Sequence, residues 1–271
     1  PDIDDIVAAH ARISAHIDKT PVLNNDFLDS KFGCELFFKC ENMQKVGAFK
    51  ARGASNAIFS LDDEQSSGGV ATHSSGNHGA ALSMAATKRG IVAHVVMPSN
   101  APESKKDAVT RFGGLIIECE PTLASREQTL ERVVAQTGAH VVHPYHDPRV
   151  IAGQGTVAIE VLEQVADLDA ILVPVGGGGL LAGVATAAKS INPKIEVIGV
   201  EPAGADDAFR SFGLGRLIAQ TSPETIADGL RSSLGKLNFE IIQQYVDTIL
   251  TVEEASIIEA MRLQWTHLKT I

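Results

Sequence analysis

Val173-Pro174-Val175-Gly176-Gly177-Gly178-Gly179-Leu180-Leu181-Ala182, in the interior of the 271-residue chain, reads as the end of a strand, a bare loop and the start of a helix. Gly176, Gly177, Gly178 and Gly179 carry no side chains. Backbone N–H groups can therefore close on an anion while the helix N-terminus adds partial positive charge. No Lys-Ser or Lys-Thr pair follows, which argues against a nucleoside-triphosphate loop. A turn that serves close packing alone is the structural alternative. A dinucleotide site is another: Gly177, Gly179 and Ala182 fit G-x-G-x-x-A, and Glu201 stands about 20 residues on, where a ribose-binding acid would be.

Outward from this loop the same alternation of strand and helix recurs. Short apolar runs suited to buried strands lie at 35–39, 70–72, 92–97, 115–118, 170–175 and 196–200, and the helical stretches between them stop at glycines such as Gly90 and Gly138. This predicts an α/β chain with parallel or mostly parallel sheets covered by helices. Ile3, Ile6, His10, Ile13 and Ile17 stripe an opening helix that Thr20-Pro21 ends. Thr251-Val252-Glu253-Glu254 has the form of a capping box, with Ile257, Met261, Trp265 and Leu268 inward on the helix it opens. Such a helix is usually followed by another strand, so a further C-terminal piece is expected. No linker cuts the chain in two, and 70–145 is expected as a small domain inserted in a larger one formed by 1–69 and 146–271. The stretch 170–188 carries no charge, but Pro174 and its glycines favour strand, loop and helix over a membrane span.

Composition narrows the function. Apolar residues make up 44% and charged residues 21%, enough for a core without cross-links, and with 10 Phe, 2 Tyr and 1 Trp that core is aliphatic. A formal net charge of −10 repels nucleic acid and anionic membranes. Cys34, Cys40 and Cys119 form no C-x-x-C pair, and the first twenty residues lack a basic, apolar leader. A cytoplasmic enzyme acting on a small molecule is expected.

Two further motifs bear on its chemistry. In Val46-Gly47-Ala48-Phe49-Lys50-Ala51-Arg52-Gly53 a lysine opens a helix expected over 51–59. The positive end of the helix dipole and burial beside Phe49 both disfavour the ammonium, and a neutral amine can form a Schiff base. A solvated surface lysine is the plain alternative. In His73-Ser74-Ser75-Gly76-Asn77-His78-Gly79, the hydroxyls of Ser74 and Ser75, the Asn77 amide and the N–H groups of a helix start can converge on a small carboxylate. Asn77 as an ordinary helix cap is the plain reading. No G-x-S-x-G elbow surrounds either serine. A dehydrogenase needs neither motif.

The Gly-Ala-Phe-Lys context at Lys50, Ser-Ser-Gly-Asn-His-Gly from Ser74, and the four glycines from Gly176 occur in an order that resembles the fold-type II pyridoxal-phosphate enzymes, most nearly the serine racemase and serine/threonine dehydratase group. The likeness runs from the N-terminal helix to about Trp265. It implies a two-lobed fold in which Lys50 carries pyridoxal 5'-phosphate, Phe49 lies against its ring, Asn77 meets its phenolic oxygen, and Gly176, Gly177, Gly178 and Gly179 hold its phosphate. It further implies substrate contacts at Ser74, Ser75, Asn77, His78 and Ser232, and a homodimer. Ser75 stands where elimination-only members commonly have alanine, so the resemblance makes it the base on the face opposite Lys50.

The expected reaction is loss of the β-hydroxyl of a β-hydroxy amino acid, serine, threonine or 3-hydroxyaspartate, as water, followed by hydrolysis of the resulting enamine to a 2-oxo acid and ammonia, with racemisation beside it. Glu201, Asp206 and Asp207 cluster after a strand and attract a hard cation. The resemblance places Mg2+ or Ca2+ on Glu201, the Ala205 carbonyl and Asp207, and a solvated acidic turn is the alternative. His140, His143 and His146 invite zinc, yet Pro144 intervenes and a strand would turn His140 and His143 to opposite faces. A nicotinamide oxidoreductase on the Gly177, Gly179 and Ala182 loop, and a cofactor-binding protein without turnover, remain as the other readings.

Overall fold

The charge-free stretch 170–188 resolves into the expected strand, turn and helix. A computed structural model, which describes residues 1–270 other than Ser75, has strand over Ala170–Pro174 and helix over Gly179–Ile191. Among the described residues no helix is long and apolar enough to cross a membrane.

In chain order the strands are β1 (Val22–Leu23), β2 (Phe38–Lys39), β3 (Val70–His73), β4 (Ala93–Pro98), β5 (Leu115–Cys119), β6 (His140–Val141), β7 (Ala170–Pro174), β8 (Glu196–Pro202) and β9 (Thr248–Val252). β1 and β2 pair antiparallel. The order β5-β4-β3-β6 makes one sheet and β7-β8-β9 another, and every pairing in both is parallel. The α/β class read from the alternation is therefore present.

The chain divides into two units, Ile3–Asp18 with Gln44–Gln154, and Lys19–Met43 with the chain from Gly155 onward. The segment 70–145 lies wholly within the first. There the sheet is covered on both faces, because successive residues of a strand point to opposite sides. Val70 joins Ile58, Leu82, Ala85, Ala86 and Val142 in one buried cluster, while its neighbour Ala71 joins Val96, Val133 and Ala139 in another. Each fully buried Val, Leu or Ile stabilises by about 1.5–3 kcal/mol. The helix Asn77–Arg89 is buried from His78 through Ala86, which its run of small residues permits. In the second unit, helix Lys236–Tyr245 packs on helix Gly179–Ile191. The Lys39 ammonium donates to Thr20 O, Glu160 Oε2 and Gln164 Oε1 at 2.8, 2.6 and 2.7 Å, so all three of its protons are satisfied.

Several boundaries differ from the sequence reading. The opening helix covers Ile3–Ile13, with Ile6, Ala9 and Ile13 buried, and stops before Ile17. Of 35–39 only Phe38–Lys39 pairs as strand. Thr251 does not cap a helix: it lies in β9 opposite Glu201, its backbone committed to the ladder, and Glu253, the residue before helix Glu254–Leu263, makes no side-chain cap bond. The stripe on that helix is not inward, since Met261 is 47% and Trp265 62% exposed.

Candidate active site

The approach to Lys50 is a strained turn. Val46 (φ +59°) and Gly47 (φ +71°) are both left-handed, and for a β-branched residue this costs about 1–2 kcal/mol. Gln44 compensates: its Oε1 accepts from Lys45 N and Asp18 N at 2.9 and 3.0 Å, and its Nε2 donates to Asp18 O at 2.6 Å. The reversal delivers Phe49 and Lys50 to helix Lys50–Phe59, one residue earlier than expected, with no side-chain cap at its start. Farther along, a Cβ on Gly53 would stand 2.8 Å from Val150 O, and one on Gly153 would stand 2.6 Å from Gly53 Cα. Only glycines allow the backbones to approach there.

Lys50 is partly buried, and its Nζ donates to Pro144 O at 2.8 Å, lying 5.2 Å from the Phe49 ring centre and 6.0 Å from that of Tyr145. Burial pushes its ammonium from 10.5 down to about 8. The neighbouring histidines are neutral. Burial, then the charge of Lys50, holds His78 well below its usual value. Burial, then His73, His146 and Lys50, pushes His143 down to about 4. His143 Nδ1 accepts from Tyr145 N at 3.3 Å and His146 N at 3.0 Å, so the neutral ring carries its proton on Nε2. The sequence reading considered His143 only for zinc and missed the 143–145 stretch as the wall of the lysine site. Contact across 94 positions leaves no local signal. Among the described residues no three His, Cys, Asp or Glu side chains are grouped to hold a metal.

In the serine-rich motif, Ser74 Oγ accepts from Gly76 N and Gly79 N, both at 3.3 Å, and so caps helix Asn77–Arg89. Asn77 is exposed as the first helical residue, after Gly76 at the cap position, so capping is not its part. His78 is buried, its Nε2 3.4 Å from Val142 O and its Nδ1 without a partner. Ser75 lies outside the described residues. The first unit thus carries Phe49, Lys50, Ser74, Asn77 and His78.

The second unit carries the glycine loop. Gly178 has φ +84°, and a Cβ there would meet Leu234 Cδ1 at 2.5 Å. One on Gly176 would meet Leu230 Cα at 2.9 Å. Helix Gly179–Ile191 has no side-chain cap, which leaves its first N–H groups to a ligand. A phosphate fits this glycine-only cradle, and in the first unit a lysine with a depressed pKa fits an aldehyde. Ser232 is exposed in the 229–235 stretch.

Glu201 and Asp207 are both fully buried, and Ala205 is buried in the turn Ala203–Ala205. The Glu201 carboxylate accepts from Ala208 N at 3.2 Å and Phe209 N at 2.9 Å, and burial raises it to about 8. Burial also raises Asp207, whose Oδ2 accepts from Leu234 N at 2.8 Å while Oδ1 has no partner. An orphaned carboxylate oxygen beside a second buried carboxylate suits a hard cation. Glu201 faces inward onto these donors, which removes it as a ribose ligand and with it the dinucleotide reading.

Residues 13–271 match the family described as "Pyridoxal-phosphate dependent enzyme". The chain belongs to that family. It is 52% identical over 271 residues to the β-hydroxyaspartate dehydratase of Paracoccus denitrificans, covering 100% of this chain and 86% of that protein. It is 53% identical over 268 residues to the serine racemase of Arabidopsis thaliana, covering 99% and 81%. The solved structure of maize serine racemase superposes with a TM-score of 0.98 at 50% identity, covering 99% of this chain and 82% of that one. Within the pyridoxal-phosphate enzymes the chain is thus of the fold-type II, serine racemase and dehydratase kind, as its three motifs implied.

Proposed function

We propose that this pyridoxal-phosphate enzyme eliminates water from a β-hydroxy amino acid such as serine, threonine or 3-hydroxyaspartate to an enamine that hydrolyses to a 2-oxo acid and ammonia, and that it also racemises an amino acid such as serine. The observation that carries the reading is Lys50: a partly buried amine on the Pro144 carbonyl, with its ammonium lowered to about 8, in a chain half identical to a β-hydroxyaspartate dehydratase and a serine racemase.

Lys50 would hold the cofactor through its amine, and that amine is the group placed to take the Cα proton on its own face of the substrate. The cofactor, when bound, supplies the electron sink that makes this proton acidic. Phe49 would pack against the cofactor ring, Asn77 would hold its phenolic oxygen, and Gly176 to Gly179 would hold its phosphate. The start of helix Asn77–Arg89, with Ser74, Ser75, Asn77 and His78, receives the substrate carboxylate, and Ser232 makes a further contact. His78 takes part uncharged, since burial holds it neutral. Ser75 gives or takes a proton on the opposite face, and that second proton site makes racemisation available beside elimination. Glu201, the Ala205 carbonyl and Asp207 hold Mg2+ or Ca2+. The working form is a homodimer of the cytoplasm.

The test is a panel of L-serine, L-threonine and 3-hydroxyaspartate given to cofactor-loaded protein, with keto acid and ammonia assayed and the remaining amino acid resolved by chirality. Keto acid from at least one substrate and appearance of its enantiomer are expected. A yellow protein that leaves all three unchanged would overturn the reading.

A further inference from the structure

We propose that Asn238 is a positioning residue for the glycine cradle, setting the direction of its N–H groups from the adjoining helix. The inference rests on the reading of that cradle as the seat of the cofactor phosphate.

Asn238 is fully buried in the first turn of helix Lys236–Tyr245. Its Nδ2 donates to the carbonyl oxygen of Gly177, and Gly235 N donates to the same oxygen at 3.2 Å. A carbonyl has two acceptor positions, so this oxygen is fully occupied and the plane of the 177–178 peptide is fixed. Across a trans peptide the N–H points opposite to the C=O. Gly178 N–H is therefore turned to the face of the loop away from Asn238, which leaves it available to an anion.

The packing supports the same function. A Cβ on Gly178 would meet Leu234 Cδ1 at 2.5 Å, Asn238 Cβ at 3.0 Å and Ile242 Cδ1 at 3.2 Å, so the loop lies directly on this helix and the residues before it. Leu234 is held from behind by its N–H bond to Asp207 Oδ2 at 2.8 Å. A glycine run has the greatest backbone freedom of any sequence, and an anion site gains affinity when its donors are aligned before the ligand arrives. Asn238 supplies that alignment with a neutral donor that offers the phosphate no competing charge.

The experiment titrates cofactor-free protein with pyridoxal 5'-phosphate and, separately, with unphosphorylated pyridoxal, following visible absorbance, and adds inorganic phosphate as a competitor. Asn238→Ala removes the donor, and Asn238→Asp keeps the shape while removing it, so either variant serves if the other does not fold. Affinity for the phosphorylated aldehyde should fall about three- to tenfold, the range of one hydrogen bond. Affinity for pyridoxal should be unchanged, and inorganic phosphate should compete less well. Equal losses for the two aldehydes, as a merely structural defect would give, or no loss for either, would overturn the part given to Asn238. If the unsubstituted protein itself bound both aldehydes equally and ignored inorganic phosphate, the phosphate reading of the loop would be overturned instead.

Discussion

The Nζ of Lys50 donates to the carbonyl oxygen of Pro144 across 2.8 Å. A backbone carbonyl accepts from an ammonium or an amine alike and takes no proton at neutral pH. The lysine is thus held in place without being held charged, as a nearby carboxylate would hold it.

Its protonation should show in cofactor capture. Only the free amine attacks an aldehyde, so the capture rate of cofactor-free protein should rise with pH about a midpoint near 8, well below the 10.5 of an ordinary lysine. Stopped-flow absorbance from pH 6 to pH 10, roughly the span needed to bracket that midpoint, reads it directly. A midpoint above 10 contradicts the burial argument, and Lys50→Ala should show no capture and no turnover.

Stability follows with a definite sign. Because folding lowers this pKa, the cost of burying the charge is fully present below about 8 and gone above 10.5. Lys50→Met should therefore unfold at a higher temperature than the unsubstituted cofactor-free protein at neutral pH. The gap should close as pH passes from 8 to 10.5. A gap that widened over that interval would mean the sign is wrong.

Gly178→Ala forces a side chain onto φ +84° and to within 2.5 Å of Leu234 Cδ1. The backbone alone costs about 1–2 kcal/mol, a fall in melting temperature of about 2–8 °C for a chain of this size. Gly213→Ala, in a helix with no atom within 4 Å of the added carbon, is the control and should stabilise slightly.

Ser75→Ala should remove racemisation and leave elimination, since one face keeps its base. Chiral analysis beside keto-acid assay separates the two activities. Loss of both in parallel would defeat the two-base assignment.

Chelation should lower both the melting temperature and the rate, with Mg2+ restoring them. Asp207→Asn should erase the difference between chelated and metal-loaded protein. Identical melting curves with and without chelator would leave Asp207 Oδ1 as an uncompensated buried oxygen and remove the cation from the proposal.

Much of this was legible in the sequence because it is local. Val70, Ala93, Leu115, Ala170 and Glu196 open strands close to where apolar runs placed them, and Gly90 and Gly138 end helices in the left-handed conformation that favours glycine. Lys50 at a helix start and the bare loop at Gly176 follow from spacing alone. What was not legible depends on distant partners. β6 is two residues long and exists because His140 and Val141 find Val70 and Ala71. Thr251 looked like a cap because its ladder partner, Glu201, stands fifty positions away. Asn238 and Pro144 gave no sign, since the atoms they serve, Gly177 O and Lys50 Nζ, are far off in sequence.

The strand order β5-β4-β3-β6 also has a consequence during synthesis. β3 leaves the ribosome first among these strands, yet one of its edges can be closed only by His140 and Val141, which are translated last. Until then a nascent chain presents the open hydrogen-bonding edge of an apolar strand, the feature most prone to sticking to neighbours. Holding chaperones should therefore engage translation intermediates that stop short of His140 more strongly than those that extend past it.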